Sequence, residues 1–317
     1  MLNALSFDIE EYFQVEALRG LVRPRDWDRL ESRVAPVTLR LLDVLERHRV
    51  TATFFVVGWV AERQPELVRE IARRGHELGC HGYAHLPVYA MEPETFREDL
   101  RRAKRTIEDA AGEPIIGYRA PTCSIVRETL WALPVLAEEG FRYDSSIFPI
   151  HHDRYGIPDA DRFPHRVSAP GADLVEFPLT TVRLAGQNLP CCGGGYFRLL
   201  PYPVVRAALR RVNEREGMPG MVYLHPWELD PDQPRFALRG LAAFRHYVNL
   251  RHTADKLERL LDDFAFGPVE RVLAERGLID FMGGLSKPPK PPALGAPRET
   301  RGAPRPPDSC TGSEVAA

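Results

Sequence analysis

Glu77-Leu78-Gly79-Cys80-His81-Gly82-Tyr83-Ala84-His85 is the stretch around which the rest of the chain is organised. His76 to Cys80 reads as a short strand, after which the chain turns into two histidines four apart. Set on one face of a helical turn, both imidazoles reach a single metal ion. The same spacing arises by chance on solvated helices, so the pair gains weight only from partners supplied elsewhere. Those partners are the acids Asp8 and Glu10, Arg119 ahead of Pro121, and His225 ahead of Pro226, each at the end of an apolar run.

Working outward, the flanking segments alternate between strand and helix patterns. Ala4 to Glu10 has strict period two, with Leu5, Phe7 and Ile9 on one face and Ser6, Asp8 and Glu10 on the other. Glu11 then points the other way unless the strand curls. Pro36 opens a helical pattern carrying Val37, Leu41, Leu42 and Leu45, and Thr51 to Val57 reads as a strand buried on both faces. Pro65 and Pro93 open further helices, closed by Gly75 and Gly112. Ile115 to Tyr118 is strand-like and delivers Arg119-Ala120-Pro121; Glu128 to Glu139 reads as helix with a break near Pro134, and Phe141 to Asp144 follows.

Such alternation predicts an α/β fold with parallel strands and crossover helices. In folds of that kind the chemistry gathers at the carboxyl ends of the strands, where Asp8, His81, Arg119 and Asp144 all fall. Beyond Phe148 the regularity weakens. Leu174 to Leu184 is strand-like but interrupted by Pro178, Gly193 to Gly195 reads as a tight turn, and Met221 to Leu224 is a strand ending in His225-Pro226-Trp227-Glu228. Two or three outer helices are expected between Leu238 and Arg276.

The 317 residues, 44% hydrophobic, suffice for a large core, and a net charge of -2 gives no reason to expect a nucleic-acid partner. Five cysteines without a CxxC pair argue against a disulfide framework or a zinc–thiolate site. No stretch approaches the ~20 apolar residues of a membrane span, and Met1-Leu2-Asn3 leads straight into a strand with no leader pattern. A soluble, cytoplasmic protein is expected. From Ser286 onward eight of 32 residues are proline and large apolar side chains almost vanish, a composition expected to stay disordered. The expected divisions are a core over 1–147, a region over 148–283 that completes it and supplies His225, and a tail over 284–317.

Taken together these residues resemble the carbohydrate esterase/polysaccharide deacetylase family of the NodB type. Ser6-Phe7-Asp8-Ile9-Glu10-Glu11 is similar to its first motif, and His81-Gly82-Tyr83-Ala84-His85 to its second, with a glycine where serine or threonine is usual. Arg119-Ala120-Pro121 matches the third, Tyr143-Asp144-Ser145-Ser146 a reduced fourth, and Leu224-His225 the fifth. Two longer strings, Phe7 to Val15 and Tyr223 to Pro231, resemble a subgroup associated with exosortase/PEP-CTERM exopolysaccharide loci. The resemblance spans about residues 2 to 283.

The resemblance implies a distorted (β/α) barrel of about seven parallel strands with extra carboxy-terminal helices. It implies metal-assisted removal of acetyl groups from an acetylated amino sugar. A divalent ion, zinc by preference, would be held by Glu10, His81 and His85. Asp8 would act as base, Arg119 would orient it, and His225 would protonate the leaving amine with Asp144 keeping it charged. Commonly the two acids of the first motif are adjacent; here Ile9 separates them. The shared strand face favours Glu10 as the ligand, and Glu11 stays open. The rival readings are an allantoinase-like cyclic amide hydrolase and a non-catalytic carbohydrate-binding relic.

Overall fold

The computed structural model describes residues 1–168 and 173–281, and among these are eleven strands and ten α-helices. The tail expected over 284–317 lies outside the described residues. The strands are β1 (Leu2–Ile9), β2 (Thr53–Val56), β3 (Glu77–Cys80), β4 (Gly117–Tyr118), β5 (Tyr143–Asp144), β6 (His165–Arg166), β7 (Val175–Glu176), β8 (Thr181–Leu184), β9 (Gln187–Pro190), β10 (Met221–Leu224) and β11 (Ala265–Gly267). The helices are α1 (Val34–His48), α2 (Gly58–Arg63), α3 (Pro65–Arg73), α4 (Pro93–Ala111), α5 (Ala132–Glu138), α6 (Gly194–Leu199), α7 (Tyr202–Arg210), α8 (Gly240–Tyr247), α9 (Thr253–Asp263) and α10 (Val269–Glu275).

One mixed sheet runs β10-β1-β2-β3-β4-β5-β7-β6 and curls into a half-barrel, with β11 also paired to β1. Every pairing in this sheet is parallel except β6 with β7, so eight parallel strands stand where about seven were expected, and β8 and β9 form a separate antiparallel pair. Strand β1 is buried from Asn3 to Ile9 because it has neighbours on both edges and helices over it. Its first residues pair with β11 and its later ones with β10, and both of those come from the carboxy-terminal half. The extra strand β11 corrects the expectation of helices alone between Leu238 and Arg276. Its three residues, Ala265-Phe266-Gly267, are too few to show a period.

The helices cover the sheet with the faces their periodicity dictates. Val37, Leu41, Leu42 and Leu45 of α1 are buried, as are Phe96, Leu100, Ala103 and Ile107 of α4. Pro134 does not break α5 but sits in its first turn, where its missing N–H leaves no acceptor unsatisfied. Gly194 and Gly195 begin α6 rather than forming a turn, and Gly193 before them lets the backbone press on the Tyr223 ring: a Cβ there would lie 1.9 Å from it. No helix among the described residues is long and apolar enough to cross a membrane.

Candidate metal centre

The carboxyl ends of β1, β3, β4 and β10 meet in one place. They bring together Asp8, Glu10, His81, His85, Arg119 and His225. All but His225 are at least nine-tenths buried.

His81 follows β3 directly. The segment that joins it to His85 is not the helical turn its spacing suggested, but an irregular loop with Gly82 at φ 70° and His85 at φ 52°. The left-handed backbone at position 82 favours glycine, and a Cβ there would press on Asp99 Oδ2 at 3.2 Å. Asp99 in turn accepts the Tyr83 N–H at 2.8 Å and holds the loop down. The two imidazoles end 5.2 Å apart, centre to centre. His81 Nδ1 lies 2.8 Å from the Arg119 carbonyl, which can only accept, so Nδ1 carries the proton and Nε2 is free to bind. Burial pulls the His81 pKa down to about 4, against the pull of Asp8, so the ring is neutral at ordinary pH.

Glu10 stands one residue past β1, with Oε2 facing His85 Nε2. Its Oε1 accepts the Trp227 indole N–H at 2.9 Å, while the buried Oε2 is left to the His85 ring. Burial raises the Glu10 pKa, but His85, His225 and His81 together hold it well below the usual carboxylate range. One atom each from Glu10, His81 and His85 lie within 4.8 Å of one another. Two imidazole nitrogens and one carboxylate, converging in a buried site, are a donor set that suits a divalent metal ion.

Glu11 points elsewhere. Its carboxylate accepts the Ser32 hydroxyl and the backbone N–H groups of Arg33 and Val34 at 3.2 Å and 3.4 Å through Oε1, capping the start of α1. Asp8 lies on the same strand face as Ser6, as the alternation predicted. Arg119 Nη1 donates to both, at 2.8 Å to Asp8 Oδ1 and 2.7 Å to the Ser6 hydroxyl. The guanidinium is held on its other side by the Ser145 carbonyl and hydroxyl, both at 2.9 Å, and lies over the Phe55 ring at 4.3 Å. Asp8 Oδ2 stays open towards His225 Nε2 at 3.7 Å and His81 Nε2 at 4.0 Å.

Asp144 is not the partner of His225. Its Oδ1 accepts the Ser146 hydroxyl, and the residue lies in register with Glu176 on β7. Burial raises the pKa of both acids, and each keeps one oxygen without a donor among the described residues. The carboxylate on His225 is Glu228, at 2.8 Å from Nδ1. Burial works against charge on His225, yet Glu10, Glu228 and Asp8 together lift its pKa to about 9. Sequence reasoning passed over Glu228, Trp227 and Arg198. A signal existed for the first: His225-Pro226-Trp227-Glu228 is a capping box, with proline at the first position of a short helical turn and glutamate at the third. Arg198 lies 30 residues away and has no local signal.

Residues 27–143 match the family model for polysaccharide deacetylase, and residues 145–274 match one described as a domain of unknown function (DUF3473). A chitooligosaccharide deacetylase of Bradyrhizobium sp. is 37% identical over 98 residues, 31% of this chain and 42% of that protein. An uncharacterized 30.6 kDa protein of Geobacillus stearothermophilus is 27% identical over 171 residues, 48% of this chain and 62% of its own length. The chain thus spans less than two thirds of either relative. A solved structure from Mycobacterium smegmatis, assigned to the polysaccharide deacetylases, superposes with a TM-score of 0.55 at 25% identity, covering 87% of this chain and 91% of that one. Puue allantoinase shares the fold, with a TM-score of 0.53 at 18% identity over 82% of this chain and 83% of its own. The likeness to polysaccharide deacetylases is carried by residues 27–143 and by the relatives that match part of the chain.

Proposed function

We propose that the protein is a metal-dependent hydrolase that removes acetyl groups from an acetamido sugar or its polymer. The observation that carries this reading is the single cluster of Glu10, His81 and His85 donors with Asp8 on one side and His225 on the other. Glu10, His81 and His85 would hold the ion, and the ion would supply a Lewis acid for the amide carbonyl and an acidified water.

The remaining steps belong to the chain itself. Asp8 Oδ2 is the open oxygen and takes the proton of the attacking water, while Arg119 holds Oδ1 and fixes the direction of attack. His225 offers the opposite resource, a proton at Nε2 for the departing amine, within reach of the same centre. An amine is a poor leaving group unless protonated, so an acid and a base on one centre fit amide hydrolysis better than simple binding. That pairing argues against a carbohydrate-binding relic.

We propose further that the substrate belongs to exopolysaccharide biosynthesis, on the strength of the strings Phe7 to Val15 and Tyr223 to Pro231. The test is a panel of short N-acetylhexosamine oligomers set against cyclic ureides, with released acetate and ring-opened ureide measured for the metal-loaded protein. Acetate from the oligomers alone supports the reading; ring opening of the ureides alone replaces it with the allantoinase-like one.

A further inference from the structure

Arg198, on α6, is 2% exposed and surrounded by acceptors. Its Nε donates to Glu228 Oε1 at 2.6 Å, Nη1 to the carbonyls of His246 and Val248 at 2.9 Å each, and Nη2 to the Arg245 carbonyl at 3.0 Å. Glu228 is fully buried and divides its two oxygens. Oε1 goes to Arg198, and Oε2 takes the His225 backbone N–H at 3.0 Å and faces Nδ1 of the same ring at 2.8 Å. A carboxylate only accepts, so Nδ1 carries its proton there. The ring is thereby turned with Nε2 at 3.7 Å from both Asp8 and Glu10, and its face is stacked on Trp227 at 5.2 Å.

We infer that Arg198 and Glu228 are positioning residues for His225: the buried pair fixes the rotation of the imidazole so that Nε2 alone meets the leaving nitrogen. A purely structural use of Arg198 is already met by its three carbonyl bonds, which tie α6 to the carboxyl end of α8 without Glu228. The bonds that Glu228 makes, apart from Arg198, all go to His225. Both residues lie in 145–274, so the inference gives that region a part in the reaction. As the C–N bond breaks, its electron pair stays on the nitrogen and takes up the Nε2 proton, leaving a neutral imidazole. Neither Glu228 nor Arg198 gains or loses a proton in this step.

The inference rests on the amide-hydrolase reading, and two substrates separate the two. An amine needs a proton to leave, whereas 4-nitrophenolate does not, so a misplaced acid slows an N-acetylhexosamine oligomer and spares 4-nitrophenyl acetate. In Glu228→Gln, which keeps shape, kcat on the oligomer should fall by ~10²-fold or more at unchanged KM while the ester rate stays within about threefold. Equal losses on both substrates, or an unchanged oligomer kcat, overturn the inference. Should that variant fail to fold, the double variant Arg198→Met/Glu228→Met removes both charges together and leaves neither uncompensated; it must show the same amide-selective loss. A wild-type protein that cleaves the ester but never the amide overturns the reading of the site, and the inference with it.

Discussion

Glu10 and Glu11 are adjacent, both acidic and both buried, yet the backbone sends them to different tasks. Glu10 turns one oxygen to His85, whereas the Glu11 carboxylate accepts from Ser32 and from the backbone at the start of α1. Glu11→Gln should therefore keep its metal and lower stability by about 1 kcal/mol, the usual cost of a lost helix cap, read by denaturant unfolding alongside metal content. Loss of metal in that variant would transfer the ligand role to Glu11. Asp8→Asn and Glu10→Gln should fail differently. The first keeps the metal and loses turnover by ~10²–10⁴, because an amide cannot take the water's proton. The second loses metal occupancy first, and excess metal should partly restore its activity. The reverse pattern would exchange the two roles.

At the scale of elements, β3 is bracketed by histidines with opposite duties. His76, one residue before it, is 3% exposed and accepts the Ala52 N–H through Nδ1 at 3.2 Å. Burial pulls its pKa down to about 4, from an unfolded value near 6.5. A depressed pKa means that the unfolded chain binds the proton more readily. The stabilisation is complete above pH 6.5 and drains away as pH falls towards 4, by at most ~1.4 kcal/mol per unit. His76→Gln should flatten that limb of the stability–pH curve; an unchanged slope would show that other groups set it. The long elements were legible in the sequence because they repeat a period: β1 shows its alternation from Ala4 to Ile9 and α4 its buried stripe over nineteen residues. The His81–His85 loop was misread as helical because spacing alone does not report the φ of Gly82 and His85. Strands of two or three residues, such as β7 and β11, have no period to read, and their place is set by the partners they find.

Over the whole molecule, the candidate site is drawn from both halves of the chain. Asp8, Glu10, His81, His85 and Arg119 come from the first half, and His225, Trp227 and Glu228 from the second. The strands follow the same pattern, since β10 and β11 pair with β1 from the far side. Residues 1–147 expressed alone would expose that edge of β1 with Ala4, Leu5 and Phe7 on it, and should aggregate or lack a cooperative thermal transition. A sharp transition from that fragment would make the second half an accessory. The site's residue types were legible at Asp8, His81, His85 and His225 because chemistry limits which side chains serve there. The Arg198–Glu228 pair was not, because a contact across thirty residues leaves no local trace.

The central claim is that Glu10, His81 and His85 hold one ion, and the most direct test is metal per chain after dialysis against a weak chelator. The account predicts about one zinc-like divalent ion per wild-type chain and near-complete loss in His81→Ala and in His85→Ala, since two remaining protein ligands hold such an ion poorly. Full retention in either variant, or a wild-type chain that takes up no divalent ion at all, would contradict it.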